Sequence, residues 1–217
     1  MKKFKPVLPV FRKNKIKVFN MALKTGQFIF QIGELDSLRK RSLDIPITKI
    51  TSKEYRQKFE YIKNCLKKYR KITGVGRGIT AVQIGIPERF SVVYQPAIKA
   101  DKSSSYTPEQ YFIIINPKIK KFSRKKLIYP EMCMSANPII APTIRPAWIE
   151  FSYYNDLGNL KYWTTKDESD LGRILNRVFQ HEIDHMNGII NIDKVKSSDL
   201  ILESDPKYYT TAKFKEV

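Results

Sequence analysis

The stretch Gln180-His181-Glu182-Ile183-Asp184-His185, followed by Met186-Asn187-Gly188, decides how this chain is read. Residues four apart lie one turn apart on a helix, so both imidazoles can reach a single metal ion. Glu182 stands beside them, placed to take a proton from water held by that metal. The chain has 2 His in all, and both sit in this stretch. Two imidazoles and two carboxylates within one turn and a half would be costly to bury without a metal among them.

Working outward, Leu171, Ile174, Val178, His181 and His185 share one helical stripe, Thr165 and Glu168 form a candidate capping box before it, and Asn187-Gly188 ends the helix. Short apolar runs precede it. Phe90–Tyr94, Tyr111–Ile115 and Trp148–Tyr154 read as strands, with a polar loop at Ser103, Ser104 and Ser105 between the first two. A turn at 155–158 leads to a partner strand near Leu160–Trp163. Further upstream, Thr51 and Glu54 pair as a capping box. Tyr55, Phe59, Ile62, Leu66 and Tyr69 then predict an amphipathic helix to about Lys71, stopped by Gly74, Gly76 and Gly78. The order helix, strands, helix gives an α+β class, with mostly antiparallel sheets packed around the C-terminal helix that carries His-Glu-x-x-His.

A catalytic site of this kind takes three protein ligands and leaves a position for water. With no third His, the remaining ligand is a Cys or a carboxylate. Of the 2 Cys, Cys65 sits beside the apolar stripe of the first helix and reads as core. Cys133, in Pro130-Glu131-Met132-Cys133-Met134-Ser135, follows a strand-like run and could present a thiolate; Asp193 and Glu203 are the rival carboxylates. The run Gly76-Arg77-Gly78-Ile79-Thr80-Ala81-Val82-Gln83-Ile84-Gly85 permits a tight turn or a ligand close to the backbone. It lacks the Gly-Lys-Ser/Thr of a phosphate loop, and no strand run precedes it as in a dinucleotide fingerprint.

Composition bounds the rest. The chain has 217 residues, 42% hydrophobic and 12% aromatic, enough for a folded domain, with too few Cys for a disulfide scaffold. No apolar run reaches the roughly 18 residues of a membrane span. The net charge is +19, placed unevenly: residues 1–33 hold eight basic residues and no acid, whereas residues 131–217 hold 10 basic and 13 acidic ones. Residues 1–25 read as a basic extension, 26–196 as the catalytic domain and 197–217 as a peripheral tail. Basic excess favours a polyanionic partner, although 29 of the 40 basic residues are Lys and codon bias would give the same pattern. With no secretory signal the cytoplasm is the default compartment, organelle targeting the minor alternative.

Taken together, the three segments around Gln83, Cys133 and His181 resemble the peptide deformylase family. Its Gly-x-Gly-(apolar)-Ala-Ala-x-Gln, Glu-Gly-Cys-Leu-Ser and Gln-His-Glu-x-Asp-His occur here in the same order, over roughly Phe30 to Asp193. The resemblance implies one divalent metal, usually ferrous iron and often replaced by zinc or nickel, held by Cys133, His181 and His185. It implies Glu182 as the proton carrier, the Gln83 amide and the Met134 backbone N–H as oxyanion donors, and Glu131 paired with Arg145 behind the metal. The implied reaction removes formyl from the N-terminal formyl-methionine of nascent polypeptides and releases formate. The implied setting is the ribosome, which the basic N-terminal part would face. Oligomeric state is open.

Departures fall at Thr80, where the family has Ala, and at Arg77, beside Gly78, where an apolar residue commonly lines the methionine pocket. Met134 stands for Leu. Met132 replaces Gly in the peptide's path, and a side chain there would cost about 1–2 kcal/mol if that position needed φ > 0. Two other readings compete: a zincin-type metallopeptidase with Glu203 or Asp193 as third ligand, and a non-catalytic ribosome-binding relative.

Overall fold

The structure, a computed structural model, describes residues 29–96, 98–99, 106–107, 109–164, 166–203 and 214–217. The basic extension, the Ser103–Ser105 loop and Thr165 lie outside these residues. After the short helix α1 (Leu35–Leu38) comes the long helix α2 (Lys53–Thr73), then strands β1 (Gly78–Thr80), β2 (Phe90–Gln95), β3 (Ile98–Lys99), β4 (Tyr106–Thr107), β5 (Gln110–Phe122), β6 (Lys126–Met132), β7 (Ile139–Pro146), β8 (Ile149–Tyr154) and β9 (Leu160–Trp163). Helix α3 (Asp170–Met186) and the two short strands β10 (Ile201–Leu202) and β11 (Lys215–Glu216) follow. One sheet runs β1-β2-β5-β8-β9, a second β10-β7-β6-β11, and every pairing between neighbours in them is antiparallel.

The five-stranded sheet lies between the two long helices because its central strands are apolar on both faces. Alternation along a strand sends Phe90, Val92 and Tyr94, with Ile113 and Ile115, toward Tyr55, Phe59, Ile62 and Leu66 of α2. Val93 and Ile114 point the other way, with Ile149 and Phe151, onto Leu175, Phe179 and Ile183 of α3. Full burial of a side chain such as Phe59, Ile62 or Leu66 stabilises the fold by about 1.5–3 kcal/mol. Cys65 is buried in this core, as its place beside the stripe predicts.

Both helix starts differ from the sequence reading. Helix α2 is capped by Ser52, whose hydroxyl accepts from the Tyr55 N–H at 3.4 Å, and not by Thr51. Helix α3 is capped by Ser169, which accepts from Gly172 N–H at 3.1 Å. In both cases a Ser just before the first helical residue does the capping. Helix α2 ends at Gly74, whose φ of +73° suits a residue without Cβ.

Strand β5 is longer than the apolar run Tyr111–Ile115, and is irregular beyond Ile115. There Asn116 takes φ +49°, and its side-chain amide pairs with both backbone groups of Ile45, at 2.9 and 2.7 Å. Two hydrogen bonds to one buried residue hold a left-handed conformation that Asn tolerates better than most residues, and they fasten the segment before α2 to the sheet.

Hairpin β6–β7 presents Cys133 at the end of β6. The tail contributes to the same sheet, with β10 pairing β7 and β11 pairing β6, and Phe214 stacks on Tyr129 at 4.5 Å between ring centroids. No helix among the described residues is long and apolar enough to cross a membrane.

Candidate metal centre

Helix α3 carries two apolar stripes. Leu175, Phe179 and Ile183 face the sheet, while Ile174, Val178 and His181 line a cavity of about 430 Å³. Of the stripe read from the sequence, Ile174, Val178 and His181 face the cavity and are less buried than the sheet-facing residues, whereas His185 is fully buried and Leu171 packs against the sheet-side cluster. Gly76, Arg77 and Gly78 border the same cavity, together with Gln83 and residues 129–134.

At its wall and just behind it, Cys133 Sγ and a ring nitrogen from each of His181 and His185 lie within 4.8 Å of one another, a spacing that could hold a metal ion. His185 Nε2 is 3.2 Å from Sγ. Burial by itself would push the Cys133 thiol up. Attraction to His185 and hydrogen bonding with both histidines outweigh it and bring the thiol well below its ordinary range. The Ser135 N–H also donates to Sγ, at 3.4 Å. A thiolate and two imidazoles, all buried, suit zinc, iron or nickel. One imidazole is oriented for that use, whereas His185 Nδ1 is buried with no hydrogen-bond partner among the described residues. His181 donates from Nδ1 to Glu131 Oε2 at 3.1 Å, which leaves Nε2 free for an ion. Asp193 stands apart: it pairs with Arg39 through Arg39 Nη2 at 2.6 Å and accepts from the Ile190 N–H at 2.7 Å. Glu203 follows β10, and neither carboxylate is among the three clustered donors.

Behind the trio, Glu131 is buried and accepts from Arg145 Nε at 2.6 Å and Nη2 at 2.9 Å, the pairing that the family resemblance implies. A second cation that the sequence reading missed, Arg177, also donates to Glu131 and to the carbonyls of Thr143 and Leu127 at 3.0 and 2.7 Å. Burial opposes ionisation of Glu131. The charge of Arg145 and the bond from His181 overcome it and hold the carboxyl well below the usual range. Arg145 continues to Asp184 at 2.5 Å, and Gln180 donates to the Pro146 carbonyl at 2.9 Å. So two of the motif's residues that bear no metal, Gln180 and Asp184, tie α3 to the β6–β7 hairpin. A cation one turn before His181, on a helix otherwise apolar toward the sheet, was the available cue for Arg177.

Glu182 is buried against β1. Burial raises its carboxyl above the ordinary value, opposed in part by the histidines and by Thr80. The Thr80 hydroxyl donates to Glu182 Oε2 at 2.6 Å, so the residue that departs from the family pattern holds the carboxylate. Gly78 leaves room for it: a Cβ there would stand 2.3 Å from Glu182 Oε1. Gln83 accepts from the Thr80 N–H at 2.8 Å, which aims its amino group at Ser135 Oγ, 3.0 Å away, and Cys133 Sγ, 3.9 Å away. No hydrogen bond among the described residues takes up the Met134 N–H. Met132 ends β6 opposite Ile140 in ordinary strand pairing. Among the described residues Asn116 is the non-glycine with positive φ, so the strain considered at Met132 does not arise.

The family model for polypeptide deformylase matches residues 27–200. A peptide deformylase of Picosynechococcus is 32% identical over 132 residues, covering 61% of this chain and 63% of that protein. One from Roseiflexus is 30% identical over 141 residues, covering 63% of this chain and 74% of the relative. The alignment thus spans less than two thirds of the Picosynechococcus protein. A probable peptide deformylase from Synechococcus phage S-SSM7 superposes with a TM-score of 0.62 at 27% identity, covering 76% of this chain and 97% of its own. The fold is also that of an Acinetobacter baumannii class I type b peptide deformylase solved with Met-Ala-Ser bound, with a TM-score of 0.63 at 20% identity over 77% of this chain and 96% of that one. With its buried thiolate and paired imidazoles set on this scaffold, the chain belongs to the polypeptide deformylase family.

Proposed function

We propose that the protein removes the formyl group from the N-terminal formyl-methionine of peptides and releases formate, using one divalent ion on Cys133, His181 and His185. The observation that carries this reading is the convergence of those three buried donors beside Glu182, at the wall of a cavity large enough for a peptide end. An ion there would supply a Lewis acid that brings water within reach of deprotonation near neutral pH. Ferrous iron is the first choice, with zinc and nickel as alternatives.

Glu182, held by Thr80, accepts the proton and later delivers it to the leaving amine. The Gln83 amino group and the unengaged Met134 N–H stand as donors for the developing oxyanion. Glu131, fixed by Arg145 and Arg177, orients His181. Gly78, Arg77 and Met132 border the path of the peptide. Both cysteines are free, in keeping with a reducing cytoplasm.

Formate release from a formyl-Met-Ala-Ser peptide by protein loaded anaerobically with iron, or with nickel, tests the reaction. Cys133→Ser is expected to lower metal content at least tenfold and abolish release, and Glu203→Gln to leave both intact. The opposite pattern would favour the metallopeptidase reading. Metal-loaded protein that releases no formate would favour the non-catalytic one.

We also assign the basic excess to a ribosomal surface, supported by Lys53, Arg56, Lys67, Lys68 and Lys71 along α2 as well as by the N-terminal residues. Binding should weaken steeply with salt. Cosedimentation is expected to drop when residues 1–25 are removed; equal binding by both forms would take the extension out of this role.

A further inference from the structure

Two arginines at the cavity wall are not used by any step above. Arg70, on the last turn of α2, donates from Nη1 to the Gly76 carbonyl at 2.6 Å and lies over the Tyr94 ring, 3.5 Å from its centroid. Arg77 stands 6.0 Å from the centroid of the same ring. Its Nη1 is buried with no hydrogen-bond partner among the described residues. No carboxylate among the described residues pairs with it. The acids of the cavity wall are engaged elsewhere, Glu131 by Arg145, Arg177 and His181, and Glu182 by Thr80. Burial and the neighbouring charge of Arg70 both disfavour the Arg77 cation. A buried donor without an acceptor and two like charges sharing one ring are both unfavourable, and a single incoming carboxylate relieves both. Guanidinium is the side chain best matched to carboxylate, through paired hydrogen bonds.

We propose that Arg77, backed by Arg70, forms a carboxylate subsite that makes this protein select acidic peptides. The proposal rests on the peptide-deformylating reading above and narrows its substrate. The carboxylate is an Asp or Glu side chain shortly after the formyl-methionine, or the terminus of a very short peptide.

The test compares amide-capped formyl-Met-Asp-Ala with formyl-Met-Asn-Ala, and formyl-Met-Ala-Asp with formyl-Met-Ala-Asn, on metal-loaded protein. At one of the two positions kcat/KM is expected to favour Asp by about 10-fold or more. Arg77→Gln should bring that ratio to near one, and Arg77→Lys should retain part of it. Because each ratio is taken within one protein, a general loss of activity or folding in a variant cancels. Formyl-Met-Ala as free acid and as amide forms a separate arm. A preference confined to the free acid assigns the carboxylate to the peptide terminus.

Calorimetric binding of acetyl-Met-Asp-Ala amide and acetyl-Met-Asn-Ala amide separates this proposal from the reaction itself. If no formyl peptide is hydrolysed but the acidic acetyl peptide binds more tightly in an Arg77-dependent way, the subsite stands and the reaction does not. If neutral peptides are deformylated as well as acidic ones and every ratio is near one, the subsite is overturned and the reaction stands.

Discussion

Glu182→Gln is expected to lower kcat/KM for formyl-peptide hydrolysis by about 10²–10⁴-fold while leaving the metal content at its wild-type level. The amide keeps the shape that Gly78 accommodates and can still accept from the Thr80 hydroxyl. It cannot take a proton from water or return one to the leaving amine. Metal analysis alongside single-turnover formate release separates this from loss of the ion; wild-type turnover in the metallated variant would remove Glu182 from the reaction.

Thr80→Val acts on the same carboxylate. The hydroxyl lowers the Glu182 carboxyl, against a larger upward push from burial. Removing it raises the carboxyl further, and a base must be ionised to act. The acidic limb of the kcat/KM profile should therefore move to higher pH, with Thr80→Ser restoring it. An unmoved limb in Thr80→Val would show that the hydrogen bond has no part in holding the base.

Glu131→Gln should be the most destabilising conservative change in the molecule. Glu131 is buried against Arg145, Arg177 and His181, and its loss leaves Arg177 with no carboxylate among the described residues and Arg145 with Asp184 alone. Breaking a buried pair in this way costs about 3–5 kcal/mol. In a domain of this size that corresponds to roughly 2–4 °C of Tm for each kcal/mol.

The pH dependence follows from the direction of the shift. The folded carboxyl lies well below the ordinary carboxylate range. Its stabilisation is therefore complete above the unfolded value and is lost as pH falls through the folded one. The stability gap between wild type and Glu131→Gln should be constant from neutral pH down to about 5 and close progressively in acid. Urea titrations at a series of pH values measure it. A gap below about 1 kcal/mol at neutral pH would mean that water or rearrangement satisfies the two arginines. Because Glu131 also orients His181, metal affinity should fall in the same variant, by about 10–100-fold.

Much of the framework was legible in residue order. Apolar runs at Phe90–Tyr94 and Leu160–Trp163 became strands, and helical spacing found both long helices, since each signal lies within one element. The helix starts were displaced because more than one hydroxyl residue stands near each N-terminus and only the chain's path selects the cap. Strand β5 was read short because Asn116-Pro117 interrupts its apolar pattern. The Asn116 side chain instead reaches Ile45, 71 residues away, and keeps the strand going across the irregularity. Thr80 counted only as a departure in the sequence. Its hydrogen bond to Glu182 spans 102 residues, and no local pattern reports it.

By itself the sequence determined that two imidazoles and a carboxylate share one helical turn, because a helix fixes the geometry of residues four apart. It also restricted the third donor to a thiol or a carboxylate, because both histidines were already placed. The tertiary structure alone brought Cys133 to within 3.2 Å of His185. It engaged Asp193 elsewhere, added Arg177 to Glu131, and left Arg77 in the cavity wall without a carboxylate among the described residues. Those outcomes depend on how hairpin β6–β7, strand β1 and helix α3 pack. Packing joins residues far apart in the chain, and burial there decides which charged groups must be paired.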